Sequence, residues 1–200
     1  MPGKELLVAL RATLVTLVLT GIAYPLVTTG AALALFPGRA RGSLIADERG
    51  RVVGSELIAQ PFTSAPYLQP RPSAAGEKGY DAAASGGSNL GPTSKALRDR
   101  VTKEVERLQQ ENPDAQGAVP AELVTASASG LDPHLSPEAA LWQAPRIGHA
   151  RGVAPARVRS VIEANVEGRD LLVLGEPRVN VLLVNLALDR LFGRPPIAGR

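Results

Sequence analysis

Three groups of residues have types and spacings that could do chemistry. The first is Ser85-Gly86-Gly87-Ser88-Asn89-Leu90-Gly91-Pro92-Thr93-Ser94. Gly86 and Gly91 stand in the G-x-x-x-x-G spacing with which a phosphate loop cradles an anion, and a helical pattern follows. The next residue is Pro92, where that loop needs a lysine to reach the β and γ phosphates, and a proline has no amide to donate. A Walker A loop is therefore excluded. The amides around Ser85, Gly86, Gly87, Ser88 and Asn89 remain candidates for holding an anion or a partner's carboxylate.

The second group is Asp132 and His134, with serines nearby at Ser127, Ser129 and Ser136. These residue types invite a hydrolase reading, but no G-x-S-x-G elbow exposes a serine, and Asp132-Pro133 also reads as an ordinary turn before a helix. His134 and His149 are the only histidines, too few for a histidine-rich metal site. The third group is Ala12, Thr16 and Thr20, a small residue every four positions, which lets a second helix approach closely. Pro25 removes one backbone donor from the same segment, and a kink is expected there.

That third group sits in the stretch around which the chain is organised. Residues 12–36 carry no charge and are bracketed by Arg11 before and by Arg39 and Arg41 after. About 20 apolar helical residues cross the ~30 Å hydrocarbon core, and a lone segment there must be helical because lipid offers the backbone no partners. The rival reading is a secretory signal peptide, with Lys4 and Arg11 as its basic start and Ala32-Leu33-Ala34 as a cleavage pattern. The apolar run is longer than a signal core and reaches Ala34 without a polar stretch, which favours an uncleaved anchor. Flanking charge slightly favours an inside domain, but that rule weakens for long domains. A short N-terminal stub, a first span and a large domain form the usual signal-anchor layout. The expected organisation is thus a short cytoplasmic N-terminus at 1–11, a transmembrane helix at 12–36, and one mixed α+β extracytoplasmic domain at 37–200.

Composition narrows the partners of that domain. The part after Phe36 carries a net charge of only +2, and aromatics make up 4% of the chain. Nucleic-acid binding calls for clustered cations with stacking aromatics, so it is excluded. With no cysteine there is no disulfide, thiol nucleophile or cysteine-bound metal.

Along the domain, Arg51 to Gln60 reads as a short hairpin with Asp47 to Gly50 turning ahead of it. Between residues 61 and 92 no hydrophobic period survives, yet Phe62, Tyr67, Leu68 and Tyr80 could each anchor an ordered loop to a core. Leu97, Val101, Val105 and Leu108 form one apolar stripe of a helix that Asn112-Pro113 ends. Val119 to Thr125 reads as a strand. Ser136 as cap and Pro137 at the first helical position start a helix that should break near Ala144. A further turn set ends at Gly152, and Pro155 starts another helix with Val158, Val161 and Ile162 on one face. Leu171 to Leu174 reads as a strand, and Val179 to Phe192 as a buried helix on which Asn185 and Asp189 could bond to each other. The tail from Gly193 is expected to be loose.

Taken together these stretches resemble the C subunit of the Kdp potassium-transporting ATPase. The matching pieces are Ala23-Tyr24-Pro25-Leu26, Gly42-Ser43-Leu44-Ile45, Arg71-Pro72-Ser73-Ala74, Tyr80-Asp81-Ala82 and the run from Ser85 to Pro92. They continue with Thr125 to Pro133, Ser136 to Ala140, Glu167-Gly168-Arg169 and Gly175 to Leu182. Ser94, Ala128 and Asn165-Val166 depart from the family's usual Asn, Gly and His-Thr. The resemblance implies a non-catalytic accessory subunit of a high-affinity, ATP-driven potassium uptake complex in the bacterial inner membrane. Its partners would be a channel-like potassium-binding subunit, a P-type ATPase subunit that does the phosphoryl chemistry, and a small single-span subunit, besides membrane lipid. The family is described as raising the ATPase subunit's affinity for ATP, so ATP would enter only through that subunit. An extracytoplasmic domain conflicts with direct contact to cytoplasmic ATP; if such contact existed, Ser85 to Asn89 would be its place. Two other classes stay open, a membrane-anchored hydrolase and a stand-alone binding module.

Overall fold

The computed structural model describes residues 2–47 and 50–195. The chain divides into two compact units, Met1–Val53 and Gly54–Arg200.

The first unit is dominated by one continuous helix, Gly3–Leu35, long and apolar enough to cross a membrane. Its 33 residues extend to about 50 Å, so the helix takes in Lys4 and Arg11 as well as the uncharged stretch. It is built from α1 (Pro2–Val18), a π turn (Leu19–Ala23) and α2 (Tyr24–Leu35). The π turn lies immediately ahead of Pro25, and the Tyr24 amide bonds the Leu19 carbonyl five residues back. The lost donor and bulky ring of Pro25 disturb the α ladder, and widening one turn absorbs the disturbance. The Thr20 hydroxyl donates to the Thr16 carbonyl, and the Thr28 hydroxyl to the Tyr24 carbonyl, each at 2.8 Å, so these polar groups are satisfied within the helix. A short helix α3 (Pro37–Ala40) follows.

Strands β1 (Leu44–Ala46) and β2 (Val52–Ser55) then pair as a hairpin. The hairpin expected within Arg51 to Gln60 is thus displaced: the turn at Asp47 to Gly50 connects the two strands instead of preceding them. Asp47 holds this turn by accepting from the Arg51 amide at 3.0 Å and from its guanidinium at 2.8 Å. Residues 48 and 49 of that turn lie outside the described residues.

In the second unit the 61–92 segment forms no regular element, yet Leu68 and Ala75 are fully buried. Helix α4 (Lys95–Glu111) starts where the Ser94 side chain accepts from the Leu97 amide and stops at Asn112. Leu108 of its stripe is buried, with Val101 and Val105 packed against the same core. The strand expected at Val119 to Thr125 is instead a 3-10 turn at Ala121–Leu123. This turn buries Leu123 and Val124 without any neighbouring strand, so the apolar run reflects burial and not sheet pairing.

Three very short strands form an antiparallel sheet in the order β3 (His134–Leu135), β5 (Arg178–Asn180), β4 (Val166–Glu167). Leu135 and Val166 both face Val179, which is fully buried. Helix α5 (Pro137–Trp142) begins at Ser136, whose hydroxyl accepts from the Ala139 amide at 3.2 Å. Helices α6 (Ala144–Arg151) and α7 (Pro155–Ala164) pack against each other, separated by Gly152 in the left-handed region that glycine tolerates. Helix α8 (Val181–Phe192), capped by Asn180, packs on α7 and β5. The core consists of Leu68, Leu135, Ile147, Val158, Ile162, Val179, Val184 and Leu188, all fully buried. Each contributes about 1.5–3 kcal/mol through removal from water.

Leu171 to Leu174 is not a strand. It is a turn closed by a single bridge between Asp170 and Leu174, and all four of its apolar side chains are exposed. Residues 196–200 of the tail expected to be loose lie outside the described residues.

Candidate functional site

The glycine-rich stretch, the Asp132–His134 pair and two of the loop motifs converge in the second unit. Ser73, between Gln69 and Tyr80, organises the first contact. Its hydroxyl donates to the Gly130 carbonyl at 2.6 Å and accepts from the amides of Ala75 and Tyr80 at 3.1 and 2.7 Å. The Tyr80 hydroxyl returns to the Arg71 carbonyl at 2.8 Å. Burial and the nearby Glu104 carboxylate push the Tyr80 phenol up to about 12, against the opposing pull of Arg107. Tyr80 is therefore a neutral, loop-closing donor at physiological pH.

The glycine-rich stretch docks on the same segment. The Gly86 amide donates to the Ser129 carbonyl at 2.9 Å, and the Ser85 hydroxyl donates to the same carbonyl at 3.0 Å. A Cβ on Gly87 would stand 2.9 Å from the Ala128 carbonyl. Gly130 faces back, with φ of +66° and a hypothetical Cβ 2.7 Å from both the Ala75 nitrogen and the Gly86 carbonyl. Glycine at 87 and 130 thus permits backbone to lie on backbone. The Gly86 amide is occupied within the fold, Ser88 is half-buried, and Ser85 and Asn89 are exposed.

Asp132 is held on two sides. Its carboxylate accepts from the Arg71 guanidinium at 3.1 Å and from the His134 amide at 3.0 Å, and the His134 ring nitrogen Nδ1 lies 3.7 Å away. Burial alone would raise its pKa, but the bonds from His134 and the charge of Arg71 outweigh it and lower the carboxyl. The neighbouring hydroxyls serve the backbone: Ser73 bonds Gly130, and Ser129 accepts from the Leu131 amide at 3.1 Å. Ser136 is bonded to the Glu122 carboxylate as well as capping α5. The pair occupies a turn whose carbonyls also serve the fold, with Pro133 accepting from the Val181 amide and Leu131 from Ala59.

A second polar cluster joins Asn185 and Asp189 to Gln143 and Arg146, two residues that the sequence does not single out, and fixes the segment from Ala65 to Gln69. Gln143 is fully buried; its Oε1 accepts from the Gln69 amide at 3.0 Å and its Nε2 donates to the Gln69 carbonyl at 3.1 Å. Asn185 treats Leu68 the same way, accepting from the amide at 2.7 Å and donating to the carbonyl at 2.9 Å. Two side-chain amides thus replace the neighbouring strand that this backbone lacks. Arg146, also buried, donates to the Tyr67 carbonyl at 3.1 Å, to Asn112 at 3.0 Å and to Gln143 at 2.7 Å. Burial pulls the Arg146 guanidinium down to about 10, which leaves it charged at neutral pH. Arg151 adds a bond to the Pro66 carbonyl at 2.7 Å and an ion pair with Asp189 at 2.8 Å, and Asp189 also accepts from the Tyr67 hydroxyl. The expected bond between Asn185 and Asp189 is not what these side chains do: each reaches across to the loop. Their signal in the sequence is a polar residue set inside an apolar stripe, as Gln143 and Asn185 are.

Among the described residues of this unit, two concavities are notable. One, of about 360 Å³, is lined by Phe62, Gln69, Tyr80, Glu104, Arg107 and Glu111. Arg107 is clamped there by both Glu104 and Glu111, which raise its pKa further. The other, of about 690 Å³, is lined by Asp114, Glu138, Trp142 and Arg159 among others. Among the described residues no group of three His, Asp or Glu could hold a metal ion. In the first unit, Ala12 and Thr16 lie exposed on the long helix together with Thr20.

The class defined by these features is a long apolar N-terminal helix followed by a mixed α+β unit whose irregular loops are fastened to one another. The family model of the K+-transporting ATPase c chain matches residues 6–190. The potassium-transporting ATPase KdpC subunit of Myxococcus xanthus is 67% identical over 192 residues, covering 96% of this chain and 90% of that protein. Those of Nitratidesulfovibrio vulgaris and Geobacter sulfurreducens are 53% and 51% identical, covering 92% and 94% of this chain and 94% and 99% of their own lengths. The chain belongs to the family of C subunits of potassium-transporting ATPases.

Proposed function

We propose that the chain is a non-catalytic accessory subunit that supports assembly of an ATP-driven potassium uptake complex and potassium access to it. The family match across residues 6–190 carries this reading. The helix Gly3–Leu35 anchors the chain in the bacterial inner membrane, with its N-terminus cytoplasmic and the second unit outside. Ala12, Thr16 and Thr20 form its packing face toward a neighbouring helix. Phosphoryl chemistry belongs to a P-type ATPase subunit, ion binding to a channel-like subunit, and a small single-span subunit completes the set. The state of the loops supports a scaffolding role: the Gly86 amide and the Ser73, Ser85 and Ser129 hydroxyls are engaged inside the fold. Any effect on ATP affinity is then exerted through the ATPase subunit, without nucleotide on Ser85 to Asn89.

The test is topological and biochemical together. Lys78 is exposed, and the chain has no cysteine of its own. A Lys78→Cys variant is expected to react with a membrane-impermeant maleimide in intact spheroplasts and to co-purify with a tagged ATPase subunit. Labelling only after lysis would reverse the orientation, and failure to co-purify would remove the subunit reading.

A further inference from the structure

The loop between β4 and β5 carries the chain's least explained feature. Arg169 to Glu176 form a hook whose tip is Leu171-Leu172-Val173-Leu174, with exposures of 84%, 88%, 73% and 57%. Isolated exposed leucines are ordinary, but four consecutive aliphatic side chains facing water are not. The hook is also shaped. The amides of Asp170 and Leu174 bond each other's carbonyls at 2.9 Å, and the Leu172 and Val173 amides bond the Arg169 and Asp170 carbonyls at 3.3 Å. Leu171 and Leu172 take φ of +51° and +68°, a conformation that costs a residue with a Cβ about 1–3 kcal/mol. Ion pairs brace the two limbs: Arg169 with Glu176 at 2.8 Å, and Arg178 with Glu167 at 3.0 Å and Asp170 at 3.4 Å.

We infer that this hook is a docking element that seats Leu171 to Leu174 in an apolar pocket, rimmed by groups of both charge signs, on another subunit of the complex. The inference rests on the subunit reading above and adds the surface that makes the contact. Two observations select a protein pocket over a lipid surface. The base of the hook presents Glu167, Asp170 and Glu176 against Arg169 and Arg178, a slight negative excess, whereas loops that enter anionic bilayers are flanked by cations. Second, a fluid lipid surface needs no fixed shape, while two strained leucines braced by four backbone bonds are preorganised for a shaped recess. Central aliphatic anchors inside a polar rim are the usual anatomy of a protein contact.

The experiment uses the complete chain with and without its partners. In a Leu172→Cys variant the single thiol reports the tip alone. Its maleimide labelling is compared for the purified chain in detergent, for the chain in phosphatidylethanolamine–phosphatidylglycerol vesicles, and for the complete complex. Labelling is expected to slow at least about tenfold in the complex only. Protection in vesicles lacking the other subunits would assign the tip to lipid, and protection of the chain alone in detergent would assign it to a second copy; either overturns the inference. As a second measurement, Leu171→Ser with Leu172→Ser is expected to lower co-purification with a tagged ATPase subunit at least about tenfold, with an unchanged urea midpoint. If the unsubstituted chain co-purifies and the double variant does so equally, the hook inference fails while the subunit reading stands. If the unsubstituted chain does not co-purify, both fall.

Discussion

Two irregular stretches of the second unit, Ala65 to Ser88 and Arg169 to Glu176, have opposite fates. Both lack regular secondary structure beyond turns and, at the hook, one isolated bridge. The first is held by groups distant in sequence: Asn185 and Gln143 pair with its peptide units, Arg146 and Arg151 take its carbonyls, and Ser129 receives Gly86. The second bonds chiefly to itself and turns its apolar side chains outward. Irregular backbone is thus neither order nor disorder in itself. What differs is where its hydrogen-bond partners come from, and that decides whether a loop works as part of the core or as a projection from it.

Substitutions can break this contrast at its strongest point first. Arg146→Leu leaves the Tyr67 carbonyl and the Asn112 and Gln143 side chains short of a donor in the interior, and is expected to cost about 3–5 kcal/mol. Urea unfolding of the complete chain, followed through the single, buried Trp142, measures this directly. Gly130→Ala forces a Cβ onto two backbone groups and an L residue into the left-handed region, for an expected loss of about 2–4 kcal/mol by the same assay.

A smaller effect is expected at Asp132, and it depends on pH. The folded state lowers this carboxyl's pKa, so its stabilising contribution is fully present above the value of a free aspartate, about 4, and is lost as pH falls through the lower folded value. Asp132→Asn should therefore be less stable than the parent near neutrality and match it in strong acid. A gap that persists at the acid end would point to packing and not charge. At the bottom of the scale, Leu172→Ser in the hook should change stability by no more than about 0.5 kcal/mol, since the side chain it alters touches solvent. A larger loss there would mean that the hook belongs to the core after all.

The helices of this unit were legible because their signals are local. Ser136-Pro137 and Pro155 each mark a start within a few residues of the backbone amides they serve or lack, and the stripe from Leu97 to Leu108 marks α4, whose cap Ser94 the structure adds. The strands were not, because segments of two or three residues owe their existence to pairing partners elsewhere in the chain. Val119 to Thr125 and Leu171 to Leu174 misled for opposite reasons. One is apolar because it is buried in a 3-10 turn, the other is apolar while exposed, and an apolar run distinguishes neither from a strand. At the candidate site, Ser85 to Asn89 could be read as a glycine-rich turn. Its partner Ser129 could not, since nothing in the spacing of either stretch refers to the other.

The π turn in the long helix changes its angular phase. Five residues at the turn replace four, so the row begun by Ala12, Thr16 and Thr20 continues through Pro25 and Thr29, not through Tyr24 and Thr28. Pro25 therefore restores, one step late, the small-residue face that a plain α-helix would have carried away toward Tyr24. Removing a single residue between Leu19 and Ala23 would rotate everything beyond it by about 100° while leaving composition and hydrophobicity almost untouched. Length and apolarity make such a helix a candidate membrane span; the extra residue sets the direction in which its small-residue row points on either side of the turn.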